Sequence, residues 1–147
     1  DMDFNLRLTR AGGKILLAPD IQLTYFPSAT FIRFLKHNVN DGIWAILPLK
    51  FGASFFKLRH LVPLIFVVTI LATGVLSFFI PQSLWIYLAI LLLYISGSLY
   101  FSTQTALQEK KLILIPFLMT GFAIRHFGYG IGSIVGLVKL ILPNGTK

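Results

Sequence analysis

The sequence predicts a mainly α-helical membrane protein, and two observations lead to that prediction. Apolar residues make up 56% of the 147 residues and charged residues only 12%, against roughly 45–50% and about 25% in ordinary globular chains. The charges are also unevenly spread, because residues 61–108 contain no Asp, Glu, Lys or Arg. We therefore divide the chain into a polar part, 1–60, and a membrane part, 61–147.

The net charge of +8 is compatible with binding either nucleic acid or anionic lipid. The basic residues cluster beside apolar stretches, where lipid headgroups attract them, so we expect a bilayer as the partner and no nucleic acid. The chain contains no Cys, which excludes disulfides and thiolate metal sites. No spacing of His, Asp and Glu indicates a metal site.

The first thirty residues read as the edge of an α/β domain. Residues 1–11 carry one apolar stripe, which predicts a helix, and Gly12-Gly13 is a strong stop. The runs Lys14–Leu17 and Gln22–Phe26 are of β type and are separated by a turn at 18–20. The chain does not begin with Met, and Asp1-Met2-Asp3 is not a basic leader. We therefore expect a longer protein to precede Asp1.

Residues 30–60 predict an amphipathic interface segment. A helix from Phe31 to Asn40 has apolar residues on one side and basic residues on the other, which suits a membrane surface. Asp41-Gly42 is expected to end it. The stretch 43–56, which includes Trp44, is apolar and rich in aromatic residues, and such residues collect at headgroup depth.

The rest of the chain contains two predicted spans and a third candidate. Residues 61–80 and 84–103 are each long enough to cross an apolar core of about 30 Å, with a turn between them. The candidate at 112–138 is interrupted by Arg125, which is costly inside a bilayer. It is either a third membrane helix whose Arg125 faces protein or water, or a re-entrant or surface helix. We favour a third helix packed through its closely spaced glycines.

The distribution of basic residues predicts the orientation. Eight Lys and Arg precede the first span, none lies in the turn at 81–83, and two lie in the polar loop 104–111. Basic loops stay on the cytoplasmic side. We therefore expect a multi-pass protein of the inner or plasma membrane with residues 1–60 in the cytoplasm.

Two groups of polar residues could carry chemistry. Asp1 and Asp3 stand at a helix start, where a carboxylate can act as a general base or merely favour the helix N-terminus. The stretch 37–41 could contact a phosphate or sugar, or be a solvated helix end. Spacing alone favours the second interpretation in both cases.

Several stretches resemble one enzyme family. Residues 1–8, 11–15 and 18–20 (Asp-Met-Asp-Phe-Asn-Leu-Arg-Leu, Ala-Gly-Gly-Lys-Ile and Ala-Pro-Asp) look like the end of the catalytic domain of family 2 glycosyltransferases. Residues 25–28, 41–44, 57–63 and 125–132 resemble the membrane-bound branch that builds exopolysaccharide, such as succinoglycan-type glucosyltransferases. The resemblance covers nearly the whole chain.

This resemblance implies an inverting transferase with a GT-A fold, of which residues 1–29 are the C-terminal remnant. Asp1 corresponds to the base that deprotonates the acceptor, with Asp3 and Arg7 supporting it and the phosphate region. Many relatives have Gln-x-x-Arg-Trp on the surface helix, whereas this chain has His37, Asn38 and Asp41 in the matching region. The candidate acceptor or phosphate ligands are His37, Asn38, Asp41, Trp44 and Arg125.

The resemblance also implies the partners. The full-length enzyme would move a sugar from a nucleotide-diphosphate donor to a lipid-linked or polysaccharide acceptor at the cytoplasmic face. Mg or Mn would be held by an Asp-x-Asp in a preceding part, so this stretch alone is expected to hold no cofactor and to be inactive. The alternative, from a different class, is a small non-enzymatic membrane anchor or transporter subunit.

Overall fold

The computed structural model describes residues 2–16, 18–24, 30–47, 49 and 60–142, and this part of the chain is mainly helical. The helices are α1 (Met2–Arg10), α2 (Phe31–Ile46), α3 (Val62–Leu76), α4 (Gln82–Gln108) and α5 (Leu114–Ile141). The mainly α fold class is confirmed.

Helix α1 ends where the sequence predicts. Gly12 adopts a left-handed conformation with φ +80°, which glycine reaches without steric cost. The Gly13 N–H donates to the Leu8 carbonyl at 2.9 Å, and the Gly12 N–H donates to the Thr9 carbonyl at 3.1 Å. These two bonds form a Schellman motif, which satisfies carbonyls that the helix end would otherwise leave unpaired.

The two predicted β runs form no strand in the described residues 14–16 and 22–24. Leu16 and Leu23 are each 89% exposed. A strand needs a neighbour to complete its hydrogen bonds, and the described part of the chain brings none beside these residues. Leu17, at the end of the first run, and residues 25–26, at the end of the second, lie outside the described residues.

Helix α2 does not end at Asp41-Gly42 and continues to Ile46. Its start is as expected, because the Thr30 hydroxyl caps it by accepting from the Arg33 N–H at 3.3 Å. Gly42 is buried inside the helix, and the carbonyl of Tyr129 on α5 occupies the space that a side chain at Gly42 would need. Tertiary packing therefore uses this glycine for close approach and not as a stop.

Helix α5 lies at the centre, since it packs against α2, α3 and α4. Three glycines spaced four residues apart face α2. The facing pairs are Gly128 with Leu35, Gly132 with Val39, and Gly136 with Ile46. Because residue numbers rise together in these pairs, the two helices run parallel. Such small-residue stripes let helix backbones approach closely, and the predicted packing through the glycines is confirmed.

Helices α3 and α4 form an antiparallel hairpin. The rings of Phe66 and Tyr94 lie 4.7 Å apart, and Gly74 faces Tyr87 nearer the turn. Gly130 joins this hairpin to α5, because a side chain there would approach the Pro63 carbonyl to 2.5 Å. The glycines of α5 therefore allow close contact with α2 on one side of the helix and with α3 on another.

In α4 the distribution of residue sizes is the reverse of that in a water-soluble protein. The buried residues of α4 are Ser83, Ser98, Ser102 and Ala106, while large apolar side chains such as Trp85 and Leu92 are exposed. Soluble proteins bury large apolar side chains. Small residues at helix contacts with large apolar residues outside are typical of helices packed in lipid.

One helix of the described part, α4, is long and apolar enough to cross a membrane. Its 27 residues extend over about 40 Å at 1.5 Å per residue. It continues past the predicted span end at 103, so the polar loop expected at 104–111 begins only at Glu109. Helix α3 is apolar but has 15 residues. Helix α5, which matches the third candidate, carries Arg125 and His126 near its middle.

Changing Gly132 to Ala tests the α2–α5 contact. The added methyl group would meet the Val39 carbonyl, and overpacking of this kind costs about 1–3 kcal/mol. We expect a lower midpoint of thermal unfolding, followed by circular dichroism of the protein in detergent micelles. Gly121→Ala is the matched control, because Gly121 lies on the same helix with open space around it. Equal midpoints for the two variants would contradict the contact.

Candidate functional site

The predicted polar cluster at 37–41 is divided between two faces of α2. Asn38, Gly42 and Ile46 are buried, and all three lie on the side that faces α5. His37 and Trp44 are exposed, and helical spacing places them on the opposite side. Only this outward face is available to a ligand.

Asn38 belongs to the helix contact. It is 1% exposed, and its side-chain amide donates to the Phe34 carbonyl at 2.8 Å. Its Cβ lies 3.2 Å from the position that a side chain at Gly128 would take. The sequence pattern groups Asn38 with His37 and Asp41 as candidate ligands. The structure separates it from them, because Asn38 lies in the helix contact.

The outward face of α2 carries an exposed contact between a His and an Asp side chain, one turn before an exposed aromatic residue. His37 Nε2 lies 3.4 Å from Asp41 Oδ2, and the two side chains are 58% and 44% exposed. An exposed pair one helical turn apart contributes only about 0.2–0.5 kcal/mol. Both groups can therefore exchange this contact for a ligand at little cost. Trp44, one turn further, is 61% exposed and offers a flat apolar surface.

Arg125 is exposed on α5. It precedes Gly128 by three residues, so it lies on the side of α5 that faces α2, level with the first turn of α2. An acidic residue such as Asp41 would suit this guanidinium as a partner. In the described residues Asp41 contacts His37, and it lies more than two turns further along α2 than the level of Arg125.

His126, the residue after Arg125, has a partner that sequence reasoning missed. Its Nδ1 lies 3.1 Å from the Tyr94 hydroxyl of α4, and its ring stacks on Phe122 at 6.4 Å. His60 likewise lies 3.0 Å from the Tyr129 hydroxyl. The sequence feature that could have predicted the His126 contact is Tyr94 within an apolar span, because a buried phenol needs a hydrogen-bond partner.

A groove of about 380 Å³ opens between α4 and α5 beside this pair. Its volume lies in the range of small-molecule sites. The lining is mostly apolar, and its members with polar side-chain atoms are Tyr94, Ser98 and His126. The lining residues are Leu93, Tyr94, Gly97, Ser98, Phe101, Phe122 and His126.

The predicted catalytic residues lie at the N-terminal end of the chain, where the described residues begin at Met2. Asp1 lies outside the described residues, and so does the side chain of Asp3, while Arg7 is exposed on α1. The part of the chain that the structure describes contains no cluster of acidic and His residues suited to a metal ion.

No protein-family model, curated protein or solved structure matches this chain. Its function is therefore inferred from its own residues and packing.

Proposed function

We propose that this chain is the C-terminal part of a membrane-bound, inverting glycosyltransferase of family 2. The observation that carries the proposal is the pattern at 1–20, which resembles the end of such a catalytic domain and is followed by α2, a helix packed onto α5. In the whole enzyme the runs 14–17 and 22–26 would pair with strands of the preceding GT-A domain.

In this proposal the protein is multi-pass, with α3, α4 and α5 embedded in the bilayer. The small buried and large exposed residues of α4 support this placement. The excess of Lys and Arg before α3 supports a cytoplasmic location for the N-terminal part of the chain.

The chemistry assigned to the site is a single displacement. Asp1 takes the proton from an acceptor hydroxyl while that oxygen attacks the anomeric carbon of the donor sugar. The nucleoside diphosphate leaves, and the configuration inverts. Asp3 and Arg7 support the base and the phosphate region, and Mg or Mn bound by the preceding domain would balance the diphosphate charge. His37, Asp41 and Trp44 offer polar and aromatic contacts to a lipid-linked or glycan acceptor.

Changing Asp1 to Asn in the full-length enzyme tests the base. An amide cannot take the proton, so transfer should fall by at least about 100-fold, the usual contribution of general base catalysis, while donor binding persists. Glu109→Gln, an exposed acid beyond α4, is the control. Transfer is followed with radiolabelled donor, and donor affinity by calorimetry. Wild-type turnover in the Asp1 variant would refute the assignment.

Reading the codons that precede Asp1 separates this enzyme from the alternative of a small anchor or transporter subunit. An in-frame Glu directly before Asp1, after a domain with Asp-x-Asp, supports the transferase. A start codon at that point supports the alternative.

Single cysteines test the topology, because the chain has no Cys of its own. A cysteine at Gln82, at the start of α4, should react with a membrane-impermeant maleimide added to intact cells. A cysteine at Gln108, at its end, should react only after the membrane is opened, because α4 crosses the bilayer between them. Labelling of both positions in intact cells would overturn the placement of α4.

Changing Arg125 to Leu tests whether the guanidinium serves the acceptor. Loss of a charge-assisted hydrogen bond to a phosphate should raise the acceptor KM of the full enzyme by about tenfold or more, with the donor KM unchanged. Lys139→Leu, which removes another exposed cation of α5, is the matched control. An unchanged acceptor KM in the Arg125 variant would leave that residue as an interfacial cation only.

A further inference from the structure

Helices α2 and α3 contact α5 at the same height. Val39 of α2 meets Gly132, and Pro63 and Val67 of α3 meet Gly130. The two glycines are two residues apart in the sequence, which is about 3 Å along the helix axis. The middle of α2 is therefore level with the first turns of α3.

The two helices also run in the same direction. Helix α2 is parallel to α5. Helix α4 is antiparallel to α5, because Tyr94 meets His126 and, further along α4, Phe101 shares the groove with Phe122. Since α3 is antiparallel to α4 in their hairpin, α3 is parallel to α5 and to α2. Helix α2 thus accompanies α3 from its start towards the turn at 81–83.

With α3 embedded as in the proposed function, α2 lies at bilayer depth as well. Ile46, the last residue of α2, meets Gly136, which is about 9 Å further along α5 than Gly130. The level of Gly130 is itself about 5 Å past the start of α3 at Val62, so Ile46 lies about 14 Å deep. That depth is roughly half of an apolar core of about 30 Å, and α2 therefore stays within one leaflet.

The outward face of α2 is polar along this depth. Lys36, His37 and Asn40 are exposed, and the side chain of Asp41 is 44% exposed. Trp44, an aromatic residue with a polar N–H, lies at the deep end of the face and is 61% exposed. Charged side chains in contact with hydrocarbon are costly. Lipid tails are therefore an unfavourable cover for this face.

Protein is an unfavourable cover for it too. A second copy related by a two-fold axis along the membrane normal would bring Lys36 to the same depth as its own counterpart, and like charges repel. The core of an interface with a different protein is depleted of Lys and Asp, whereas this face carries both. Water suits these side chains best, because it solvates each of them without a specific partner.

We propose that water fills an indentation of the cytoplasmic leaflet beside the outward face of α2. Local thinning of the bilayer and water defects accompany charged side chains in membranes. Such an indentation brings the hydrophilic head of a lipid-linked acceptor within reach of His37, Asp41 and Trp44, to which the proposed function assigns it. The inference rests on the bilayer placement of α3 and the cytoplasmic N-terminal part within that function, and it does not depend on transferase activity.

Single cysteines at matched depths test the proposal. Asn40 follows Val39 on the outward face of α2, and Val68 follows Val67 on α3, where it is 47% exposed. Inside-out membrane vesicles that contain the full-length variants are treated with methanethiosulfonate ethylsulfonate, a small charged reagent, and mass spectrometry locates the modified residue. We expect Asn40→Cys to react at least about a hundredfold faster than Val68→Cys, because apolar surroundings suppress the reactive thiolate.

Each alternative gives a different result. Slow reaction of both variants would overturn the proposal, since lipid would then cover α2. Fast reaction of Asn40→Cys in nanodiscs of purified protein, but not in native vesicles, would overturn it in favour of a protein partner. Fast reaction in intact cells would overturn the cytoplasmic location. Fast reaction of Val68→Cys would overturn the bilayer placement of α3, and the inference with it. Thermal unfolding of both variants verifies that each is folded.

A second pair of variants tests how deep the water reaches. Trp44→Cys and Leu71→Cys lie about one turn deeper, at residues that are 61% and 55% exposed. The Trp44 variant should react at least about tenfold faster than the Leu71 variant, for the same reason. Equally slow reaction of the two would contradict an indentation that reaches the last turn of α2. Transfer is not measured in these assays, so failure of the transferase chemistry would leave their outcomes unchanged.

Discussion

The close contact of α2 and α5 is the constraint on which the rest of the structure depends. At Gly42 and at Gly132 the backbone of one helix occupies the space where a side chain of the other would lie. Two helices can approach this closely only where small residues face each other. The contact fixes the rotation of α2, and so decides that Asn38 is buried while His37 and Trp44 face outward.

Helix α5 extends this constraint to the hairpin of α3 and α4. Gly130 contacts α3 at Pro63 and Val67, and His126 pairs with Tyr94 of α4. Hydrogen bonds between helices in apolar surroundings contribute modestly to stability, on the order of 1 kcal/mol, and fix how the helices are rotated. One helix therefore links the polar N-terminal part of the chain to its most apolar helices.

The α2–α5 contact fixes where α2 lies relative to the apolar helices. A catalytic base before α1 and an acceptor anchored in lipid must meet at a constant distance from the bilayer, because small displacements of reacting groups lower rates strongly. Helix α2 lies between α1 and the apolar helices in the chain, and its glycine contacts hold it on α5.

The sequence by itself determined the features that depend on local chemistry. Gly12-Gly13 ended α1, the uncharged run from 61 to 108 became the apolar hairpin, and the glycines of α5 indicated close packing. The tertiary structure decided what depends on neighbours. Helix α2 passes through Gly42 because α5 requires a glycine there, and Asp41 pairs with His37 because Arg125 lies at another level of α2. Residues 14–16 form no strand because a strand exists only beside another, and a local pattern does not say whether that neighbour is present.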